Sequence, residues 1–365
     1  MKINVKETKV ICSNPNQPLH NYFGWPTVAR LQDGRLAMVA SGFRMRHVCP
    51  FGKVIACYSD DEGKTWTRPT VIMDTPLDDR DAGILPFGEN SVMVTSFNNC
   101  VKAQRNWNRI RDEKGNINPR SLYIEAYLNT LDSQMEEDRY LGSTFVISHD
   151  GMRTWSPVMR IPVTAPHGPI SLDDGSILYI GRTFSANDQP MDSDCIEAYA
   201  VFPDGSYEKR GEIENISSEL LSCEPHAVAL DDGKILVHIR VQNKEVFTIY
   251  QSESYDNGKT FTKPHQLLEN QGGAPAHLLK TKEGILISAY GYREAPYGIK
   301  VMFSKDKGKT WDTGYDVYIN GVSSDLGYPA SVELENGDIL TVFYAKETQN
   351  SPAVIMQTVW NYAED

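Results

Sequence analysis

The stretch EPHAVALDDGKILVHIR (residues 224–240) decides the fold. Two apolar runs with alternating polarity flank Asp231-Asp232-Gly233, which is the pattern of two antiparallel strands joined by a tight turn. The same pattern recurs five more times. The other copies are WPTVARLQDGRLAMVAS from Trp25, DAGILPFGENSVMVTS from Asp81, HGPISLDDGSILYIGR from His167, APAHLLKTKEGILISAY from Ala274 and YPASVELENGDILTVFY from Tyr328. The turn glycines Gly34, Gly88, Gly175, Gly233, Gly284 and Gly337 are spaced 54, 87, 58, 51 and 53 residues apart. A period near 50 accommodates four strands, and six copies predict an all-β, six-bladed β-propeller. The one long gap predicts an insertion, about Asn98 to Tyr140, between blades two and three of a single domain spanning 1–365.

A second motif recurs outside the hairpins. SDDEGKTW (59–66), SYDNGKTF (254–261) and SKDKGKTW (304–311) are close copies, and SHDGMRTW (148–155) has its glycine one place early. Ser and Asp side chains can bond their own backbone, glycine takes positive φ, and the aromatic anchors the turn on the sheet. These boxes are read as structural turns.

Composition narrows the function. The 365 residues carry 36 Lys+Arg against 48 Asp+Glu, a net charge of −12, and 40% are hydrophobic. That is a globular composition, and its acidic balance argues against nucleic acid, including for the Arg105, Trp107, Arg109 and Arg111 run of the insertion. No apolar run approaches the ~20 residues of a membrane span, and the first residues do not read as a signal peptide. Cysteines at 12, 49, 57, 100, 195 and 223 form no C-x-x-C pair, so no metal site is expected and the thiols are read as reduced, in a cytoplasmic protein. A few local arginines can still make a pocket attractive to an anion.

In a propeller, the residues opening each inner strand converge on one mouth of the axis. Here they are Trp25, Asp81, His167, Glu224, the Gly273-Ala274 pair and Tyr328, while the second strands end at Arg44, Arg46, His47, Arg182, Arg240, Arg293 and Tyr344. A Glu, a Tyr, an Asp, two His and several Arg converging on one mouth are not explained by packing.

S-x-D-x-G-x-T-W boxes, one per blade, resemble the Asp-box (BNR) repeats of the sialidase (neuraminidase) superfamily over about Asn21 to Tyr362. The resemblance implies a cofactor-free exo-glycoside hydrolase with retention of configuration, whose partner is a carbohydrate ending in an acidic sugar. Such enzymes use a Tyr nucleophile assisted by a Glu, an Asp acid/base and three arginines that hold a carboxylate. On this chain the nucleophile resembles Tyr328, its partner Glu224, and two of the arginines Arg240 and Arg293. The family's F-R-I-P arginine is replaced by Gly24 in Phe23-Gly24-Trp25-Pro26, and the loop 44–53 holds no Asp or Glu.

The residues at hand offer replacements. His47 is the leading acid/base, because imidazole gives and takes a proton near neutrality, and Asp81 competes for the role. Arg80 stands in for the missing arginine, Trp25 offers a stacking face for a sugar, and Arg46, His167 and Arg182 are candidate substrate contacts. Glu125 in the insertion is a further candidate carboxylate. The same residues also fit a lyase acting beside a uronate carboxylate, or a glycan-binding propeller without turnover.

Overall fold

In the computed structural model, residues 1–111, 115–183, 195–269 and 272–364 are described. Six antiparallel sheets follow one another along the chain, and each corresponds to one predicted hairpin plus two outer strands. The inner strands are Tyr22–Arg30, Arg80–Phe87, Ile170–Ser171, Leu221–Ala229, Gly273–Lys280 and Gly327–Glu333. The chain is thus a six-bladed β-propeller. The ring is closed by strand exchange. Lys2–Cys12 pairs antiparallel with Ala353–Ala363 and supplies the outermost strand of blade six. The core lies between blades; one cluster joins Trp25, Val28 and Met38 of blade one to Tyr328, Leu340 and Tyr344 of blade six.

The boxes are turns that tie neighbouring blades. In the first, Ser59 Oγ donates to Asp61 and accepts from the Gly63 N–H at 2.9 Å, while Asp61 accepts from Thr65. Trp66 then reaches across to blade six, donating to Gln357 at 2.8 Å, and Trp311 of blade five does the same to Gln251 of blade four. The divergent copy keeps this geometry. Met152 takes the place of Gly63 at φ 70°, donating its N–H to Ser148 Oγ at 2.9 Å.

The insertion departs from the expected placement. It leaves after the second strand of blade two, Ser91–Phe97, and returns into the third, Ser143–Ser148, so it lies within blade two rather than between blades. It forms helices α1 (Val101–Trp107), α2 (Pro119–Leu128) and α3 (Ser133–Tyr140). Asn118 and Asp132 cap the last two through their side chains, and Pro119 sits at the first turn, where a missing N–H costs nothing. Val101, Ile124 and Leu128 pack on Met45 and Cys49, so the helices brace the loop that carries His47. Among the described residues, no helix is long and apolar enough to cross a membrane. All six cysteines are free.

Candidate active site at the mouth of the propeller axis

Four inner strands open with the same distortion. Trp25, Asp81, Glu224 and Tyr328 have φ of 55°, 44°, 49° and 50°, a left-handed conformation that a side-chain-bearing residue adopts at a cost of roughly 1 kcal/mol. Each coincides with a slip in strand register, between Gly24 and Thr27, Arg80 and Gly83, Cys223 and His226, and Gly327 and Ala330. Such bulges re-aim side chains that regular pleating would send into the walls.

Tyr328 and Glu224 meet across the mouth. The Tyr328 hydroxyl donates to Glu224 Oε1 at 2.6 Å. Arg240 Nη1 donates to Glu224 Oε2 at 2.5 Å and lies 3.5 Å from Tyr328 Oη, while its other nitrogens hold Gln242. The Arg293 guanidinium lies 5.6 Å from the Tyr328 ring centre, donates through Nε to the Leu326 carbonyl and through Nη2 to Tyr344. Its Nη1 has no protein partner among the described residues. Burial works to raise the Glu224 carboxyl, but Arg240, the Tyr328 hydroxyl and Arg293 outweigh it and hold it below its ordinary range. Burial, and then the Glu224 charge, push Tyr328 well above the ordinary phenol value. At rest the proton therefore stays on Tyr328, with an ionised acceptor beside it.

Beneath this pair lies Trp25, 1% exposed. Arg80 and Arg44 stack on its ring, their guanidinium carbons 4.3 and 4.7 Å from its centre. Arg44 is paired with Asp78 at 2.6 Å, both fully buried, and Arg80 donates to the His47 carbonyl at 2.8 Å. Asp81 shares this floor. Burial pushes its pKa up to about 7 against the pull of Arg80, and Oδ1 has no hydrogen-bond partner among the described residues.

His47 stands at the edge of the mouth, its side chain half exposed, 4.9 Å from the Trp25 ring. Its Nδ1 lies 3.3 Å from Asp325 Oδ1 and 3.0 Å from the Tyr22 hydroxyl, which itself donates to Asp325 at 2.9 Å. Burial against the floor lowers the His47 pKa, and Asp325 opposes that shift. Burial would raise Asp325, yet His47, Tyr22 and Lys346 bring it down to about 2. An ionised carboxylate thus orients the imidazole through Nδ1, and Nε2 has no protein partner among the described residues. Sequence reading missed Asp325, which sits in Ser324-Asp325-Leu326-Gly327, three residues before Tyr328. Its nearness to a candidate mouth residue in the chain was the available signal.

A family model described as "BNR repeat-like domain" matches residues 125–341, more than half of the chain. The chain belongs to the BNR repeat-like domain family. No curated protein matches it. Among solved structures, a protein of unknown function from Dyadobacter fermentans is similar with 17% identity and a TM-score of 0.77, over 99% of both chains. The NanB sialidase from Streptococcus pneumoniae is 15% identical, with a TM-score of 0.66 over 96% of this chain and 70% of that one. The Trypanosoma rangeli sialidase, solved in complex with sialic acid, is 14% identical with a TM-score of 0.62, over 98% of this chain and 57% of its own. At these identities the likeness is one of fold, a sialidase-like propeller.

Within this BNR-family fold, several predicted contacts lie elsewhere. Trp25 has no open face for a sugar, because the two arginines, His47 and the tyrosines 22, 328 and 344 enclose it; it plugs the floor. Arg46 is turned to the insertion, holding Asn108 at 2.6 Å and Ser121 at 3.0 Å. Glu125 is bound there too, to Asn108 and near Arg105. His167 is not at the mouth. Counting nine residues back from the turn glycine finds Trp25, Glu224 and Tyr328 in blades one, four and six, but Pro166 in blade three, so His167 falls one step further along the chain, among other histidines. Arg182 lies opposite Thr164 and Ile196, at the end of the second strand of blade three. Ala274 is in the blade-five inner strand, its side chain outside the described set. Among the described residues, no group of three or more His, Cys, Asp or Glu is arranged to hold a metal ion.

Proposed function

We propose that the protein is an exo-acting, retaining glycoside hydrolase for a terminal sugar bearing a carboxylate, a sialic or uronic acid. The observation carrying this reading is the 2.6 Å hydrogen bond from Tyr328 to an ionised Glu224 flanked by two arginines. Tyr328 Oη attacks the anomeric carbon and its proton passes to Glu224. A neutral nucleophile avoids the repulsion that a carboxylate would meet next to an anionic sugar. His47, held by Asp325, protonates the departing glycosidic oxygen. Water then attacks the glycosyl-tyrosine, His47 takes the water's proton, and Glu224 returns its own to Tyr328. Two displacements give retention. Arg293, with an uncommitted Nη1, and Arg240 bind the sugar carboxylate, a match for guanidinium geometry.

Asp81 is the alternative proton donor, supported by a pKa of about 7 that keeps it largely protonated up to neutrality. Turnover that survives His47→Ala but not Asp81→Asn would move the role to Asp81. The function itself is tested by release of 4-methylumbelliferone from its α-sialoside and its α- and β-uronides, with wild type and Tyr328→Phe. Turnover of at least one, lost in the variant, is expected. Silence on all three, with saturable glycan binding that Tyr328→Phe leaves intact, would make the protein a binding module. An unsaturated product absorbing in the near ultraviolet from a uronate polymer would make it a lyase.

A further inference from the structure

Two residues beyond the mouth, the chain carries a second ring of positions: Thr27, Gly83, Gly168, His226, His277 and Ala330. The rings of His226 and His277 stack at 4.4 Å and 14°, and His167 stands edge-on to them at 5.5 and 5.1 Å. Their Nδ1 atoms stitch blades together. His226 Nδ1 accepts the backbone N–H of Leu278 at 2.9 Å, and His277 Nδ1 accepts that of Ser331 at 3.3 Å, each one blade onward. His167 Nδ1 lies 3.1 Å from Thr27 Oγ1, which is also 3.4 Å from the Pro166 carbonyl.

The Nε2 atoms are left over. A neutral imidazole that accepts through Nδ1 carries its proton on Nε2, so His226 and His277 each present an N–H donor. Neither donor has a protein partner among the described residues. Nε2 of His167, in a residue only 1% exposed, is buried and unpartnered as well. The three rings line a cavity of ≈ 490 Å³ whose wall is otherwise mostly apolar, including Val28, Ile84, Leu172, Val228 and Leu279. Asp173 and Lys280 also line it.

This donor set selects its ligand. A metal bound through Nε2 of His226 or His277 would have to strip that proton while Nδ1 still accepts a backbone N–H, leaving an imidazolate. An acceptor needs no such change. Burial also keeps the histidines neutral, His277 down at about 3, so the rings themselves carry no charge and the direction of their hydrogen bonds selects what they bind.

We propose that this lower half of the axis is a second ligand site, which takes the carboxylate of a small apolar acid on the Nε2–H groups of His226 and His277, its hydrocarbon body lying along the apolar wall. A halide shares the head chemistry but leaves that wall unused. The probes are hexanoate and bromide, by calorimetry and by soaked crystals of the full chain. Hexanoate is expected to bind saturably, at least tenfold more weakly in His226→Phe and in Leu279→Trp, and unchanged in Tyr328→Phe. Leu279→Trp fills the chamber from its wall without touching a histidine, so it decides the matter if His226→Phe does not fold. Binding lost in Tyr328→Phe but kept in Leu279→Trp would place the acid at the mouth and overturn the proposal, as would water alone at the three Nε2 atoms. A bromide peak there without hexanoate binding would keep the anion and overturn the apolar acid. Zinc displacing hexanoate would overturn the tautomers and the site with them.

Discussion

The mouth and the histidine chamber are built by the same strands, two residues apart, yet their electrostatics are opposite. At the mouth, Glu224 is held ionised by Arg240 and Arg293, and Arg44 and Arg80 both pair with Asp78 within the floor. Two positions along, Glu224 gives way to His226 and Trp25 to Thr27, neither of which carries a charge here. Desolvation then dominates, helped at His167 and His226 by the neighbouring histidines, and all three rings are driven neutral. The difference shows what the left-handed bulges accomplish. They turn side chains from four blades towards one mouth, where the one ionised among them, Glu224, meets Arg240; an isolated charge on a regular strand would not be buried at tolerable desolvation cost. Below the bulge, regular pairing resumes, and the polar groups facing one another are the uncharged histidines and Thr27.

The largest expected effect breaks the mouth alone. Tyr328→Phe removes the nucleophile and should lower kcat by about 10³-fold or more, as loss of a covalent-catalysis residue generally does. The fold should persist, because the ring still packs on Trp25 and Tyr344. Steady-state kinetics with the aryl glycoside that wild type cleaves best, alongside thermal melting, checks both halves. A comparable loss from a chamber substitution of similar stability would erase the distinction between the two levels.

Much of this arrangement was legible in the chain. Six hairpins could be counted because Asp-Gly, Glu-Gly and Asn-Gly turns and strand alternation are local signals, and Tyr328, Glu224, Arg240 and Arg293 follow from where those hairpins begin and end. The position of the insertion did not follow, since turn-to-turn spacing reports only that extra residues exist. The box at Ser148 held the answer: elsewhere the box follows the third strand of its blade, and here it comes after the insertion. The burial of Trp25 was not legible, because it depends on Arg44 and Arg80 converging from two different blades. Nor was the pairing of His47 with Asp325, 278 residues apart.

The next effect separates the levels by pH. Asp81 has a folded pKa of about 7, and Asp79, its burial outweighing the hydrogen bonds from Thr75, also reaches about 7. A carboxyl raised on folding contributes stability in full below its unfolded pKa of about 4 and loses it as pH rises towards 7. Stability should therefore fall between pH 4 and 7. Asp81→Asn, which suits the left-handed backbone, should flatten that fall and gain on the order of 1–3 kcal/mol at pH 8. Denaturant unfolding across pH measures it; an unaltered slope would show that Asp81 is ionised in the folded protein. Asp325 acts in the opposite sense: its stabilisation is present above pH 4 and is lost as pH falls through about 2.

A smaller change sharpens the picture of the mouth. Asp325 favours the protonated imidazole, so Asp325→Asn should lower the His47 pKa further. With His47 as the acid that must begin protonated, the basic limb of the kcat/KM profile should then move to lower pH. A merely structural role for Asp325 would lower activity evenly at all pH values. If Asp81 is the donor, the limb should stay in place in Asp325→Asn and respond to Asp81→Asn instead.

The smallest effect belongs to the chamber. Thr27→Val removes the hydroxyl that lies between His167 Nδ1 and the Pro166 carbonyl, at 3.1 and 3.4 Å, while keeping the branched shape. Thr27 is 2% exposed, so its partners lose a hydrogen bond that water replaces poorly, a cost of about 1–2 kcal/mol in stability. The left-handed bulge at Trp25 lies between this residue and the mouth, and the mouth's charges are satisfied without it. Turnover and its pH profile should therefore match wild type even as the melting temperature drops. A shift in the profile would mean that the two levels share a hydrogen-bonded path along the axis, and the boundary drawn at the bulge would have to move.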